Sequence, residues 1–499
     1  METAPRSPRP PGAPLTVPPW SIATRSTRIV AVVVRHLLGT VLDVVRGWRL
    51  PSRRRRAGDD RGRGGSSPGA VRLRRVLEDL GPTFVKLGQV LSSRADLLPP
   101  DYQAELSRLQ DAAPPEPPGT VEAVLVTELG RPWTEVFSRL DPVPLAAASI
   151  GQAHAATLVD GTDVVVKVRR PAALEAVEVD LAVLERLAAA TTRWVPAARR
   201  ADLAGLVGEL AHTLRAELDY GIEAGNAERF ARDLAGNPQV HVPRVHRHAS
   251  THRVITLDRI VGIKVSDLAA LDAAGIDRPA LARNVVDVVL SMVFERGFFH
   301  ADPHAGNIFV EPDGRLGLVD FGMVGHLAPD VRARLGHLFV ATATGDVTGL
   351  TAEVLALGTA TRPVDVATLR RDLSGLLAQV TSAPLGELRV GPLLQAELAV
   401  VRRHHLRLPP ELALLVKTAA MVEGLAAQLD PDFMILPAFA PYAARLLGPA
   451  AVVEPGADAP GADAPGARPP APRPGPRPSA PADPDHAEPA PGALGPGRP

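Results

Sequence analysis

Cysteine is absent from all 499 residues. Its absence excludes disulfides, thiolate metal sites and cysteine nucleophiles, and it suits a reducing compartment. Aromatic residues are scarce at 4%, so any core must be built from Leu, Val and Ala. Net charge is also lacking, since 55 basic residues balance 55 acidic ones. The balance is uneven: residues 1–75 hold sixteen Arg against four acids, which leaves the remainder net acidic. An acidic partner, anionic lipid or nucleic acid, is therefore expected at the basic end. Long apolar runs are missing there too. In "RIVAVVVRHLLGTVLDVVRGW" the longest uninterrupted run is six residues, against the ~18 to 20 that cross a bilayer. The stretch also lacks the cleavage site of a secretory signal. The sequence predicts a cytoplasmic chain with no transmembrane helix.

What is present divides the chain into segments. Residues 1–27 are rich in Pro, Arg and Ser and predict a disordered tail. Residues 28–69 combine an amphipathic helix with "RRRR" at 53–56 and a basic Gly/Ser/Arg linker. Such a helix either lies on an anionic membrane through residues 28–56 or packs on the main domain. Residues 70–448 have globular patterning, mostly helical, with β-rich zones near 143–170, 239–262 and 308–320. Residues 449–499 are a Pro/Ala-rich tail that cannot bury enough apolar surface to fold.

The polar residues of "FFHADPHAGNIFV", residues 298–310, sit inside an apolar frame. His300, Asp302 and Asn307 give His-x-Asp-x-x-x-x-Asn, and thirteen residues after Asn307 comes Asp320-Phe321-Gly322. That order matches the catalytic loop and Asp-Phe-Gly of protein kinases. Phosphoryl transfer uses one carboxylate and one amide on a Mg²⁺ ion, with a second carboxylate beside the attacking group. On this basis Asp320 and Asn307 are metal candidates and Asp302 the candidate base. A pair of capped turns around a buried strand is the plainer reading, and the joint occurrence of two motifs argues against it.

Upstream, Lys167 lies within the alternating Val run "GTDVVVKVRRP". Burying a Lys is costly unless it is paired, and a kinase-like site supplies the pair from a helix carboxylate. Read as one helix, "RAELDYGIEAGNAERF" places Asp219, Glu223 and Asn226 on one face and Glu217 on the other. Gly221 within that helix would cost about 1 kcal/mol relative to Ala. Before Lys167, "PLAAASIGQAHAA" stands where a Gly-rich phosphate loop would be. Its residues Ala146, Ala147, Ala148, Ser149, Ile150, Gly151 and Gln152 are candidates for holding phosphate through backbone N–H groups, on a stiffer loop than glycine would give. Further upstream, "LGPTFVKLGQVLSSRADLLPPDY" predicts a helix starting at Pro82, with Lys86 and Gln89 sharing a face around Gly88.

Together, "FVKLGQVLSSRADLLP", "LAAASIGQAH", "VVVKV", "ELDYGIEAGN", "FFHADPHAGNIFV" and "VDFG" resemble the UbiB family of atypical kinases, also called the AarF family. The likeness covers roughly residues 72–447 and extends to "PPELALLVKTAAMVEGLAAQLDPDF". It implies an α+β, protein-kinase-like two-lobed fold. Its parts would be a helical extension at 70–142, a small β-containing lobe at 143–262 with inserted helices, and a mainly helical lobe at 263–448. It implies ATP and Mg²⁺ as cofactors, Lys167 as the nucleotide-anchoring Lys and Glu223 as its ion-pair partner. Lys86, Gly88 and Gln89 would form the family's Lys-x-Gly-Gln helix, which folds over the active site. Glu217 and Asp219 would be the Glu-x-Asp pair that meets it.

The function implied is an atypical kinase or ATPase supporting quinone or isoprenoid-lipid metabolism, peripheral on the inner face of the plasma membrane. Its partners would be ATP, an isoprenoid lipid or quinone intermediate, and an anionic membrane surface. Nucleic acid is not expected, because the basic end carries no aromatic interleaving or base-reading motif. Two alternatives are a nucleotide-gated, non-catalytic scaffold and a small-molecule phosphotransferase.

Overall fold

The structure, a computed structural model, describes residues 18–49, 67–93, 98–109, 113–195, 203–382 and 390–447. Residues 1–17, the Arg run 53–56 and the Pro/Ala-rich tail lie outside the described residues.

Proline marks the start of each of the first helices: α1 (Pro19–Arg49), α2 (Pro68–Leu80), α3 (Pro82–Ser93), α4 (Pro100–Leu106) and α5 (Pro118–Leu129). Proline fits a first turn because the N–H it lacks would have no helical partner there. Gly81, at φ 98°, separates α2 from α3 and gives its N–H to the carbonyls of Leu77 and Glu78. Ile22, Ile29 and Val32 of α1 are buried with Leu77, Leu80, Phe84 and Val85 of α2 and α3. Arg25 fastens the same face by pairing with Asp180 and bonding the Leu80 carbonyl at 2.6 Å. The α1 helix therefore packs on the domain, while Trp20, Val30, Val33 and Val34 stay exposed on its other side.

The small lobe is an antiparallel sheet of β1 (Phe137–Ala147), β2 (Gly151–Leu158), β3 (Asp163–Arg169) and β5 (Val254–Asp258), in the order β1-β2-β3-β5. The twofold alternation of a strand decides which side chains reach which face. Val164, Val166 and Val168 of β3 enter a core with Val121, Val124 and Leu125 of α5, while Lys167 is only half-buried on the opposite face. Lys167 pairs in register with Ala153 and Ile255, so it sits in mid-sheet rather than at an edge.

Three helices follow β3: α6 (Ala173–Trp194), α7 (Leu203–Glu217) and α8 (Tyr220–Asp233). The break between α7 and α8 corrects the single-helix reading of residues 215–230. Asp219 is the N-cap of α8 and accepts the Gly221 N–H at 2.9 Å, so it does not share a helical face with Glu223. Gly221 lies in the first turn of α8, where the penalty of a mid-helix glycine does not arise.

The large lobe contains a second sheet, of order β4-β9-β8-β6, formed by β4 (Val240–His241), β6 (Ile263–Lys264), β8 (Ile308–Val310) and β9 (Leu316–Leu318). A separate pair, β7 (Phe298–His300) with β10 (Val324–His326), holds the two ends of the segment 298–326 side by side. The helices are α9 (Leu268–Ala273), α10 (Arg278–Leu290), α11 (Pro329–Thr344), α12 (Val347–Leu357), α13 (Val366–Ser382), α14 (Val390–Arg403), α15 (Pro410–Leu429) and α16 (Ile435–Leu447). The main core joins α8, α10, α15 and the short strands through Phe230, Phe298, Phe299, Phe321, Val285 and Leu425. Residues 411–429 of α15 are long and apolar enough, by length and composition, to cross a membrane, yet this helix packs against α10, α14 and β10.

Candidate active site

Lys167 stands where β3 faces α8. Its Nζ is 2.5 Å from Glu223 Oε1 and 3.5 Å from Asp320 Oδ1. Burial works against the charge, but the carboxylates of Asp320 and Glu223 outweigh it and hold the ammonium above its ordinary pKa. Lys167 in turn holds Asp320 ionised, down to about 2. Three groups separated by 56 and more residues in sequence thus form one alternating charge cluster.

The Asp-Phe-Gly turn is fixed from α8. Asp320 has φ 64°, in the left-handed region that non-glycine residues seldom occupy. Phe321 is fully buried against Phe230 and His300, with ring centroids 5.4 Å and 5.9 Å away. Asn226 Nδ2 donates to the Phe321 carbonyl at 2.9 Å, and Glu223 accepts the Phe321 N–H.

The His300–Asn307 loop is organised by His300. Its Nδ1 accepts the Asp302 N–H at 3.1 Å, which leaves Nε2 to donate to the Val319 carbonyl at 3.2 Å. The ring is therefore neutral, in keeping with burial lowering its pKa. Asn307 is buried and donates its side-chain N–H to the Asp302 carbonyl at 3.1 Å. Asp302 Oδ1 accepts from Lys417 Nζ of α15 at 2.9 Å.

The Ala-rich loop spans the β1–β2 turn. Ala146 and Ala147 end β1, Ala148 donates to the Gly151 carbonyl at 2.9 Å, and Ile150 is buried against Val177, Leu181 and Leu214 of α6 and α7. Gly151 has no room for a side chain: a Cβ would lie 2.1 Å from the Tyr220 hydroxyl and 2.8 Å from the Val168 carbonyl. Ser149 lies in the turn. The Gln152 side chain is buried and bonded to the Glu116 N–H at 2.7 Å and the His154 ring at 2.7 Å, so it braces the lobe and leaves only its backbone for a ligand. Arg170 completes the brace with bonds to the Ala148 carbonyl, Glu116 and the Pro114 carbonyl.

Lys86 of α3 is 3.0 Å from Glu217 at the end of α7, and its charge helps lower Asp320. Gln89 donates to the Leu109 carbonyl at 3.1 Å, while a Cβ on Gly88 would strike Leu109 and Leu77 side chains. The structure therefore separates the Glu217/Asp219 pair: Glu217 meets α3 and Asp219 caps α8. Sequence reasoning missed Lys417, Arg170 and the bond that Asn226 makes. The available signal for Lys417 was a lone Lys within an apolar helix.

A sheet-borne Lys paired to a helix Glu, set over a helical lobe with an Asp/Asn loop and an Asp-Phe-Gly turn, defines a two-lobed protein-kinase-like fold. The ABC1 atypical kinase-like domain matches residues 108–354, and the UbiB helical domain matches residues 373–434. The chain is 35% identical to the probable protein kinase UbiB of Azotobacter vinelandii over 84% of its own length and 80% of that protein. It is also 36% identical to the Xylella fastidiosa protein of the same name, over 85% and 78% of the two chains. An uncharacterized Synechocystis protein is 35% identical over 75% of this chain, which spans 64% of that protein's length. The solved structure of Rv3197 from Mycobacterium tuberculosis, in complex with erythromycin, aligns with TM-score 0.52 at 27% identity, covering 76% of this chain and 95% of that one. The chain belongs to the UbiB family of ABC1-type atypical kinases.

Proposed function

We propose that the chain is an ATP-dependent phosphotransferase or ATPase, working with Mg²⁺ in quinone or isoprenoid-lipid metabolism at the inner membrane face. The observation that carries this reading is the Lys167–Glu223–Asp320 cluster, in which one ammonium lies 2.5 Å and 3.5 Å from two carboxylates. Lys167 would bind the α- and β-phosphates, held in place by Glu223.

Asn307 and Asp320 would hold a cation, since an ionised carboxylate and an amide oxygen are donors that suit a hard ion. When bound, Mg²⁺ supplies neutralisation of the phosphate charge. Asp302 would orient the attacking hydroxyl or water and take up its proton. The new bond forms from that oxygen to the γ-phosphorus as the bond to the β–γ bridging oxygen breaks, and the electron pair leaves with ADP. Backbone N–H groups of residues 146–151 would cradle the phosphates.

The position of α3 supports a small, lipidic or water acceptor rather than a peptide, because its Lys86 is tied to Glu217 and its charge acts on Asp320. Peripheral attachment is supported by α1, which exposes Trp20, Val30, Val33 and Val34 beside Arg28 and Arg35. The test is calorimetric titration with Mg·ATP and a phosphate-release assay on wild type and Asp320→Asn. Loss of both signals in the variant is expected; undiminished binding and release would sink the reading. Single-turnover phosphate release separates it from a nucleotide-gated scaffold, which would bind without a burst.

A further inference from the structure

We infer that Lys417, delivered from the helical domain, is a positioning residue for Asp302 and for the phosphoryl group that arrives beside it. The inference rests on the phosphotransferase reading above. Lys417 lies outside the matched kinase-like domain, 115 residues beyond the loop it touches. Its helix, α15, otherwise enters the core with Leu412, Val422, Leu425, Ala426 and Leu429. One ammonium on such a helix, meeting the carboxylate of the candidate base, asks for a chemical reason.

The geometry supplies one. Lys417 Nζ lies 2.9 Å from Asp302 Oδ1 and 3.9 Å from the Met323 sulfur. On the other side, His304 Nε2 is 3.7 Å from Asp302 Oδ2. Of the three N–H groups of the ammonium, one serves Asp302 and one faces a thioether that accepts only weakly. The third remains for an oxygen of the transferring phosphoryl group. Oδ1 is thereby held while Oδ2 is left to take the nucleophile's proton. As the nucleophile's oxygen bonds to the γ-phosphorus and the bridging oxygen departs with its electron pair, a fixed cation offsets charge on the phosphoryl oxygens.

A purely structural tie is the competing account. The two side chains are 27% and 30% exposed, and pairs so open to water add little to stability. A tie would also need only charge, whereas a positioned donor needs its own length and shape.

The experiment uses the full chain and its Lys417→Met, Lys417→Arg, Asp302→Asn and Lys417→Met/Asp302→Asn variants. Mg·ATP turnover and the affinity for a fluorescent ATP analogue are measured for each. Lys417→Met is expected to lower kcat by about 10²-fold while nucleotide affinity stays within about threefold, and Lys417→Arg should recover part of the loss. In the Asp302→Asn background the same change should cost distinctly less, since part of its effect runs through Asp302. Wild-type kcat in Lys417→Met would overturn the inference. So would equal losses of turnover, affinity and thermal stability in both Lys417 variants, or fully additive losses in the double variant. A wild-type chain that neither binds nor turns over ATP refutes the phosphotransferase reading itself, and this inference falls with it. An active wild type beside an unaffected Lys417→Met refutes the inference alone.

Discussion

The side-chain amide of Asn226 donates to the carbonyl of Phe321 at 2.9 Å, joining α8 to the residue that follows Asp320. Glu223, one turn earlier on α8, accepts the N–H of the same residue. The helix that pairs with Lys167 therefore also holds the backbone next to Asp320, whose left-handed conformation is otherwise unfavourable. Placement of the Lys and of the metal candidate is thus one structural event.

Removing that amide should loosen Asp320 without touching the nucleotide directly. In Asn226→Ala, the Mg²⁺ concentration giving half-maximal turnover should rise by about fivefold, the equivalent of one buried hydrogen bond of ~1 kcal/mol. A Mg²⁺ titration of ATP turnover reads this, and an unchanged midpoint would mean that Asp320 is held without α8.

Gly151→Ala should be damaging for a reason visible in the backbone. Its Cβ would lie 2.1 Å from the Tyr220 hydroxyl and 2.8 Å from the Val168 carbonyl, and the carbonyl cannot swing aside. A loss of about 1–3 kcal/mol is expected, seen as a lower denaturation midpoint. Tyr220→Phe in the same chain should recover only the part due to the hydroxyl.

Glu397 of α14 gives a pH dependence unrelated to nucleotide. Burial raises its carboxyl from 4.5 to about 7, against the single hydroxyl of Thr342 at 3.3 Å. Between those values the folded chain keeps a proton that the unfolded chain has released, so stability falls as pH rises from about 4.5 through 7. At 1.36 kcal/mol per unit the whole effect is about 3 kcal/mol. Glu397→Gln, which mimics the protonated form, should melt with wild type near pH 5 and above it at pH 8. Parallel melting curves across that range would show that the carboxyl is not held neutral.

The exposed face of α1 makes a separate prediction. Val30, Val33 and Val34 point away from the packed side, while Ile29 and Val32 face α2 and α6. Serine at all three exposed positions should reduce flotation with anionic liposomes and leave the melting temperature unchanged. Equal flotation would remove this face as a membrane contact. Deleting the whole helix would be a poorer test, since it also strips Arg25 from Asp180 and Leu80.

Much of the site could be read in the chain because its chemistry is local. The His300–Asn307 loop bonds largely within itself, through Asp302, His304, Gly306 and Asn307, so spacing alone carried its shape. The alternation around Lys167 likewise gave a strand with one face set apart. The α7–α8 break was harder to see. Asp219 can cap a helix or ride on one, and the choice depends on Tyr220 and Leu218 being drawn into two different cores.

By itself the sequence determined the strand holding Lys167, the loop from His300 to Asn307 and the helix begun by Pro82, since each depends on interactions within a few residues. Only the tertiary structure decided that Glu217 meets Lys86 while Asp219 caps a helix, that Asn226 grips Phe321, and that Lys417 reaches Asp302. Those pairings join groups from 95 to 131 residues apart, apart from the local Asp219 cap. They form because packed helices bring together apolar faces whose polar neighbours must then find partners, and no local spacing records which partner each one finds.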